Sequence, residues 1–428
     1  MEVKGKYGSA IIYTDEVESE AIGQIINLLN QEMSSGANVR IMPDCHSGAG
    51  CVIGYTAKIT DKVIPNLVGV DVGCGVTAYH VGHKSKVGEK FDKLDRFIRD
   101  NIPSGMNANN HADEAELEQT FKTFYKPDNI RHFKDLHESI STIVDKMGMK
   151  KQYVFASIGT LGSGNHFLEV DETEDGELYL VVHSGSRNFG KNVAEFHQRV
   201  AANTNLTISK DEWVNRVAEI RKKKKGQGIQ VAIDALRKEV SIKMPKDLEY
   251  LSGDNAKAYY TDMKIAQIYA QLNRRVMLRR IVEGFYKQDY TDDKIVESVH
   301  NYINFDDGII RKGAISAHKG EKVIIPLNMA AGILLGVGKG NEEWNNSGPH
   351  GAGRKMSRSK AKATITLEDF QFKMKQAGVW STSVGKDTID EAPQAYKNAD
   401  KIKEFLEPSV EITSHMKAIY NFKAGEEK

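Results

Sequence analysis

The chain has 428 residues, 40% of them hydrophobic and 27% charged, enough to bury a substantial core with the composition of an ordinary soluble enzyme. Its formal net charge of +1 excludes a chain held to nucleic acid by overall basicity, and the odd number of cysteines, Cys45, Cys51 and Cys74 in one short segment, argues against a disulfide framework. No run approaches the roughly 20 apolar residues of a membrane span, and the opening MEVKGKYGSAIIY lacks the apolar core of a signal peptide, so a cytoplasmic location with no membrane partner is expected.

From Val3 to His83 the sequence predicts short strands, SAIIYTD, VRIMPD, CVIGYTAKI, NLVGVD and GVTAYHV, divided by glycine, proline or aspartate. One helix interrupts them over Glu16–Met33, with Ile22, Ile25, Ile26 and Leu29 at helical spacing. Helical periodicity then marks Lys90–Ile102 and Asn129–Met147, and a second β-rich block follows in YVFASIGTLG, NHFLEV and LYLVVHSGS. Lys210–Val240 reads as a highly charged helical stretch and Ala256–Tyr286 as one strongly packed helix. A third β-rich block runs from AISAHKGEKVIIPLN through GILLGVG; helices at Leu367–Gln376 and Glu391–Leu406 precede a last strand, ITSHMKAIYNF. Strands and helices mix without regular alternation, internal repeat or low-complexity linker. The sequence therefore predicts a single α/β mixed (α+β) domain over residues 1–428, with a β-sheet-rich central core and helices packed around it.

The chemistry concentrates at Ile64–Gly75. Val68-Gly69-Val70 has strand character and ends in Asp71-Val72-Gly73-Cys74-Gly75, which puts a carboxylate and a thiol, both metal ligands when ionised, on a glycine-rich turn. Alone, such a D-x-x-C is more often an ordinary turn with a half-buried cysteine. His80, His83, His111, His132, His137, His197, His318 and His415 have no other chemical group at motif spacing and read as surface or satisfied core residues. Four others differ. His166 sits in GSGNHFLE, His183 ends LYLVVH before SGSR, His300 precedes Asn301 at the end of a helical segment, and His350 opens HGAGR. Three basic clusters can meet a phosphate backbone: Arg221–Lys225, Arg274-Arg275 with Arg279-Arg280, and Arg354-Lys355 with Arg358, Lys360 and Lys362. For the lysine run a solvated face is the commoner explanation.

PDCHSGAGCVIG (43–54), VGVDVGCG (68–75), GSGNHFLE (162–169), VHSGSR (182–187), HN (300–301), IPLNM (325–329) and HGAGRKMSRSKA (350–361) occur in this order. In these motifs the chain closely resembles the RtcB family of RNA-splicing ligases over nearly its whole length. The resemblance implies a central metal cleft in which Asp71, Cys74, His166, His183 and His300 bind two Mn2+ ions. Cys74 would bridge them, with Asp71 and His166 on one ion and His183 and His300 on the other. Ligand chemistry alone does not name the metal, since mixed N/O/S sites bind zinc more tightly than manganese. His350 resembles the family's nucleophile, which takes GMP from GTP through a phosphorus–nitrogen bond. Nucleotide contacts are implied for Asn165, Glu169, Asn301, Pro326, Leu327, Asn328, Met329, Gly351, Ala352, Gly353 and Lys423. Asp44 and His46 are expected to orient ligands or the reacting hydroxyl, and Arg187 and Arg354 to meet RNA or phosphate. The Gly-Ala-Gly after His350 can turn its amides to phosphate oxygens.

The implied activity joins an RNA 3′-phosphate, or a 2′,3′-cyclic phosphate after opening, to an RNA 5′-hydroxyl, in tRNA splicing or RNA repair. An activating protein partner stays open. The chain departs from the family at Ile325-Pro326-Leu327-Asn328-Met329-Ala330, where most relatives carry Ile-Pro-Gly-Ser-Met-Gly, so this loop loses two glycines and a serine. Two rivals remain: a metal-dependent phosphoesterase that never uses GTP, and a non-catalytic RNA-end-binding metalloprotein.

Overall fold

Runs rich in β-branched and aromatic residues, such as GVTAYHVGH and ELYLVVHS, form the strands Gly75–His83 and Glu177–Ser184, the centre of the larger sheet in this computed structural model. Residues 1–425 are described, apart from 89, 125–129, 241, 243 and 246. Among the described residues the larger sheet has seven strands, in the order Ile295–Val299, Gly75–His83, Glu177–Ser184, Phe167–Glu172, Val410–Phe422, Gly332–Gly338 and Lys322–Asn328, every pairing antiparallel. A six-stranded sheet runs Glu2–Lys4, Ser9–Ile12, Val39–His46, Ile53–Lys58, Ile309–Lys312 and Asn301–Asn304, and helices pack around both, an α+β architecture.

Two features of this topology position the site. In register, Gly75 faces both Ser184 and Val299, while His183 faces both Val76 and Phe167. Cys74, His166, His183 and His300 therefore meet at one end of the sheet, each inside or next to a strand terminus. Val299 ends an edge strand of one sheet and Asn301 begins an edge strand of the other, so His300 is where the chain crosses between sheets.

The helix Gly253–Gly284 runs behind this end and is buried on nearly every side, for instance at Tyr259, Met263, Tyr269, Leu272, Met277 and Ile281. Its first part packs into the core formed by Ile12, Ile25, Val39 and Ile41, its last part into that of Leu168, Leu180 and Val182. Burying one such aliphatic or aromatic side chain stabilises by about 1.5–3 kcal/mol. No helix among the described residues is long and apolar enough to cross a membrane.

Several elements differ from expectation. Val68-Gly69-Val70 is not a strand: Pro65 opens the 3-10 turn Pro65–Leu67, and Gly69 at φ 94° and Gly73 at φ 70° bend the chain, so Asp71 and Cys74 precede a strand rather than end one. YVFASIGTLG supplies the short helix Lys151–Ala156 and a loop; over six residues apolar content does not separate a buried helix from a strand. His300 lies between strands, not at a helix end. Lys210–Val240 is two helices, Lys210–Lys223 and Gln227–Val240, split by a turn at Gly226. In Glu391–Leu406, Pro393 confines the α-helix to Ala399–Leu406. The helix expected from Glu16 begins at Ser19, and that expected from Asn129, which lies outside the described residues, begins at Phe133. Pro326–Asn328, expected as a loop, continues the strand Lys322–Asn328 with a bulge. Arg274, Arg275 and Arg279 are buried, which removes them as phosphate contacts.

Candidate functional site

The strand ends bring five donors together. His166 Nε2 lies 3.0 Å from Asp71 Oδ2 and 3.5 Å from Cys74 Sγ. His183 Nε2 lies 3.3 Å from Cys74 Sγ and 3.3 Å from His300 Nε2. The donors form two triads, Asp71, Cys74, His166 and Cys74, His183, His300, that share the sulfur.

Neighbouring carbonyls set the tautomers. Leu161 O accepts from His166 Nδ1 at 2.9 Å and Asn165 O from His183 Nδ1 at 3.1 Å. A carbonyl only accepts, so each Nδ1 carries the proton and each Nε2 turns a lone pair toward the other donors. Burial pushes both His183 and His300 well below the ordinary imidazole range. Burial and the adjacent Asp71 push the Cys74 thiol well above its usual value. Apart from the Cys74 proton, the lone pairs that converge here repel one another. A divalent cation turns that repulsion into coordination and deprotonates a bound thiol outright, so the donor set fits a metal pair.

The support behind this set was not legible in the motifs. Arg274, fully buried, donates to Gly73 O at 2.7 Å, Ser184 O at 2.9 Å and Glu297 Oε1 at 2.9 Å, tying the Cys74 turn to the end of the His183 strand. Asn273 accepts from the Gly159 and Thr160 amides and donates to Gly185 O, fixing the loop before His166. Gly185 leaves room for the Asp71 carboxylate: a Cβ there would stand 2.1 Å from Asp71 Oδ1.

A cavity of about 300 Å³ opens onto these donors. It is lined by Asp71, Cys74, His183, His300 and His350, and by every residue expected to contact nucleotide: Asn165, Glu169, Asn301, Pro326, Leu327, Asn328, Met329, Gly351, Ala352, Gly353 and Lys423. His46 and Arg354 line it as well. Asp44 stands behind His350, whereas His166 and Arg187 line a different cavity that meets this one at Asp71.

The His350 ring lies 5.0 Å from the His300 ring, and its Nδ1 donates to Asp44 Oδ2 at 2.7 Å, leaving the Nε2 lone pair for chemistry. The Gly351 amide donates to the same Asp44 oxygen at 3.2 Å, so this amide is not free to meet phosphate as the glycine pattern implied. Burial pushes His46 down to about 4, against its bond to the Asp44 carbonyl, which keeps that imidazole neutral. Arg354 is paired with Glu391 at 3.2 Å and donates to Asp390 O at 2.7 Å. Glu391, missed by sequence reasoning because nothing in its surroundings forms a motif, also binds Arg358 at 2.6 Å, Tyr396 at 2.6 Å and Lys423 at 3.0 Å. Burial pushes Glu391 up, but these cations and the Tyr396 hydroxyl outweigh it and hold it at about 2. Lys423 also donates to Asn165 O at 3.2 Å. Glu169 accepts from Asn421 at the cavity floor, and burial pushes its carboxyl up alongside the buried Asp171.

The family model described as tRNA-splicing ligase RtcB matches residues 24–424. The chain is 26% identical to the RNA-splicing ligase RtcB of Escherichia coli strain K12 over 92% of each chain. It is 26% identical to the tRNA-splicing ligase RtcB of Aeropyrum pernix over 92% of this chain and 90% of that one. With that of Methanococcus maripaludis the identity is 27%, over 86% and 84%. A match over nearly the full length establishes that this chain belongs to the RtcB family.

Proposed function

We propose that this protein is a GTP-dependent RNA ligase that joins an RNA 3′-phosphate, or a 2′,3′-cyclic phosphate once opened by water, to an RNA 5′-hydroxyl, with two Mn2+ ions at the shared-sulfur donor set. The names of the relatives support RNA ligation. The observation that carries the finer reading is the His350 imidazole, held by Asp44 beside His300 in a cavity large enough for a nucleotide.

A 3′-phosphate resists direct attack because an oxide or hydroxide would have to leave, and guanylylation supplies a better leaving group. His350 Nε2 attacks the α-phosphorus of GTP; the P–N bond forms as the bond to the bridging oxygen breaks, and pyrophosphate leaves with the electron pair. Asp44 holds the reactive tautomer and balances the positive charge that the ring gains. An oxygen of the RNA 3′-phosphate then attacks the same phosphorus and His350 departs, leaving an RNA-3′-pp-G end. Finally the 5′-hydroxyl oxygen attacks the RNA phosphorus and GMP leaves. Bound divalent cations would supply positive charge to the phosphoryl oxygens and lower the pKa of the attacking hydroxyl. Glu169 can accept the guanine N–H groups, and Lys423 can donate to its carbonyl.

Incubation with GTP and Mn2+ is expected to add the mass of one GMP to the intact protein, and His350→Ala to abolish the gain. An unmodified wild-type protein would favour a phosphoesterase or an RNA-end-binding protein instead.

A further inference from the structure

One buried acid next to the cavity floor has no place in the reaction described above. Alternate residues of a strand share a face, so in Phe167–Glu172 the side chains of Glu169 and Asp171 stand side by side. Glu169 lines the large cavity; Asp171 does not, and is fully buried behind it. Across the ladders Asp171 is opposite Tyr179 on one side and Ala418 on the other, and Ala418 belongs to an apolar cluster with Met329, Phe370 and Met374. Neither neighbour brings a cation. Among the described residues no donor reaches either Asp171 oxygen, although both are buried. The group within hydrogen-bonding reach is the Glu169 carboxyl. Glu169 is better supplied: the Asn421 amide donates to it, and the Lys423 ammonium, held by Asn165 O at 3.2 Å, adds a favourable charge. Two carboxylates in contact and away from water repel, so one of the pair keeps its proton. Burial and the Glu169 charge push Asp171 well above the ordinary carboxyl range, which places that proton on Asp171.

We propose that Asp171 is a positioning residue for guanine recognition: its carboxyl O–H donates to Glu169 and holds that carboxylate ionised and aimed into the cavity. This rests on the nucleotide reading above and names the group that orients its guanine acceptor. Guanine presents N1–H and N2–H on one edge, and a carboxylate that accepts from both must keep its two oxygens at a fixed angle. Asn421 and Asp171 together fix that angle. Without the Asp171 donor, Glu169 in the same dry floor would take up a proton itself and turn an O–H toward a guanine N–H. Inosine lacks the N2 amine and leaves one carboxylate oxygen unpaired, so a rigidly held Glu169 separates the two nucleotides by more than a mobile one does.

The test reads binding of GMP and of inosine monophosphate to the full chain by isothermal titration, together with the GTP dependence of GMP-adduct formation. Asp171→Leu keeps the size of the side chain and removes its donor. It is expected to raise the GMP dissociation constant and the half-saturating GTP concentration by about tenfold, the size of a lost hydrogen bond to a charged group, with the maximal adduct rate little changed. Its preference for GMP over inosine monophosphate should fall as well. Asp171→Asn, whose amide donates in place of the O–H, is expected to restore affinity and preference to near wild type. Infrared difference spectra at neutral pH should show the carbonyl stretch of a protonated carboxylic acid in wild type and not in Asp171→Asn, a signature that a side chain with a packing role alone does not give. Absence of that band would overturn the proposal, and so would a wild type that does not bind GMP. An Asp171→Leu protein that binds and discriminates like wild type, or an Asp171→Asn protein as impaired as Asp171→Leu, would overturn it too. The band is read without Asp171→Leu, so it decides even where that variant does not fold. A wild type that prefers GMP through Asp171 but takes up no GMP from GTP would keep this role and remove the ligase reading.

Discussion

Asp44 Oδ2 accepts three hydrogen bonds from the nucleophile segment: His350 Nδ1 at 2.7 Å, the His350 amide at 3.1 Å and the Gly351 amide at 3.2 Å. One fully buried carboxylate oxygen therefore sets the tautomer of His350 and the path of the glycine turn after it. Asp44→Asn is expected to slow formation of the GMP adduct by about 10²–10⁴-fold, the usual range for a group that handles a proton or its charge in the transition state. Rapid-quench measurement with labelled GTP reads this, with circular dichroism to confirm the fold. A loss under threefold would mean that the contact is structural only.

The lone pairs of His166 and His183 face the Cys74 sulfur at 3.5 and 3.3 Å, an arrangement that favours a bound cation over an empty one. Saturating Mn2+ is expected to raise the unfolding temperature of chelator-treated protein. At a hundred times its dissociation constant a ligand adds about 2.7 kcal/mol per site. Cys74→Ala removes the donor common to both triads, so the metal-dependent rise should vanish in that variant. A Cys74→Ala protein that keeps the full rise would refute the shared-sulfur arrangement.

The sequence carried the strands better than their surroundings. LYLVVH and NHFLEV form strands as expected because β-branched and aromatic residues buried on both faces have few other options. The donors come from strand ends separated by 92 to 117 positions in pairs such as Cys74–His166 and His183–His300, so motif order alone could group them. What lay outside reach was burial of charge. Arg274 and Arg275 looked like phosphate contacts because arginine is usually exposed, but they lie in the core against Glu297. Glu391 gave no local signal either, since its partners Arg354, Arg358, Tyr396 and Lys423 reach it through tertiary structure.

That buried hub makes stability depend on pH with a definite sign. Glu391 titrates at about 2 in the folded chain against an ordinary value of 4.5. A depressed carboxyl stabilises fully above the unfolded value and loses that contribution as pH falls through the folded one, here between 4.5 and 2. The shift corresponds to about 3 kcal/mol as an order of magnitude. Glu391→Gln should therefore lower denaturant stability by a comparable amount at pH 7, with the gap from wild type narrowing as pH falls below 4.5. A gap that stays constant from neutral to acid pH would contradict the charge-based account.

Gly185 offers a way to separate the two triads. A methyl group there would meet Asp71 Oδ1 at 2.1 Å and Oδ2 at 2.8 Å, while its own backbone needs no left-handed turn. The Asp71 side chain is about one-third exposed, so it can swing toward solvent without unfolding the chain. Gly185→Ala should thus displace one carboxylate from the Asp71, Cys74, His166 triad and leave the Cys74, His183, His300 triad intact. Isothermal titration with Mn2+ is expected to show two sites in the wild type and one in the variant, or a second site weakened at least tenfold. Adduct formation should fall with it, because only half of the cationic field then faces the phosphates. Two undiminished sites in Gly185→Ala would show that Asp71 holds no ion, and loss of both would show that the triads cannot be loaded independently.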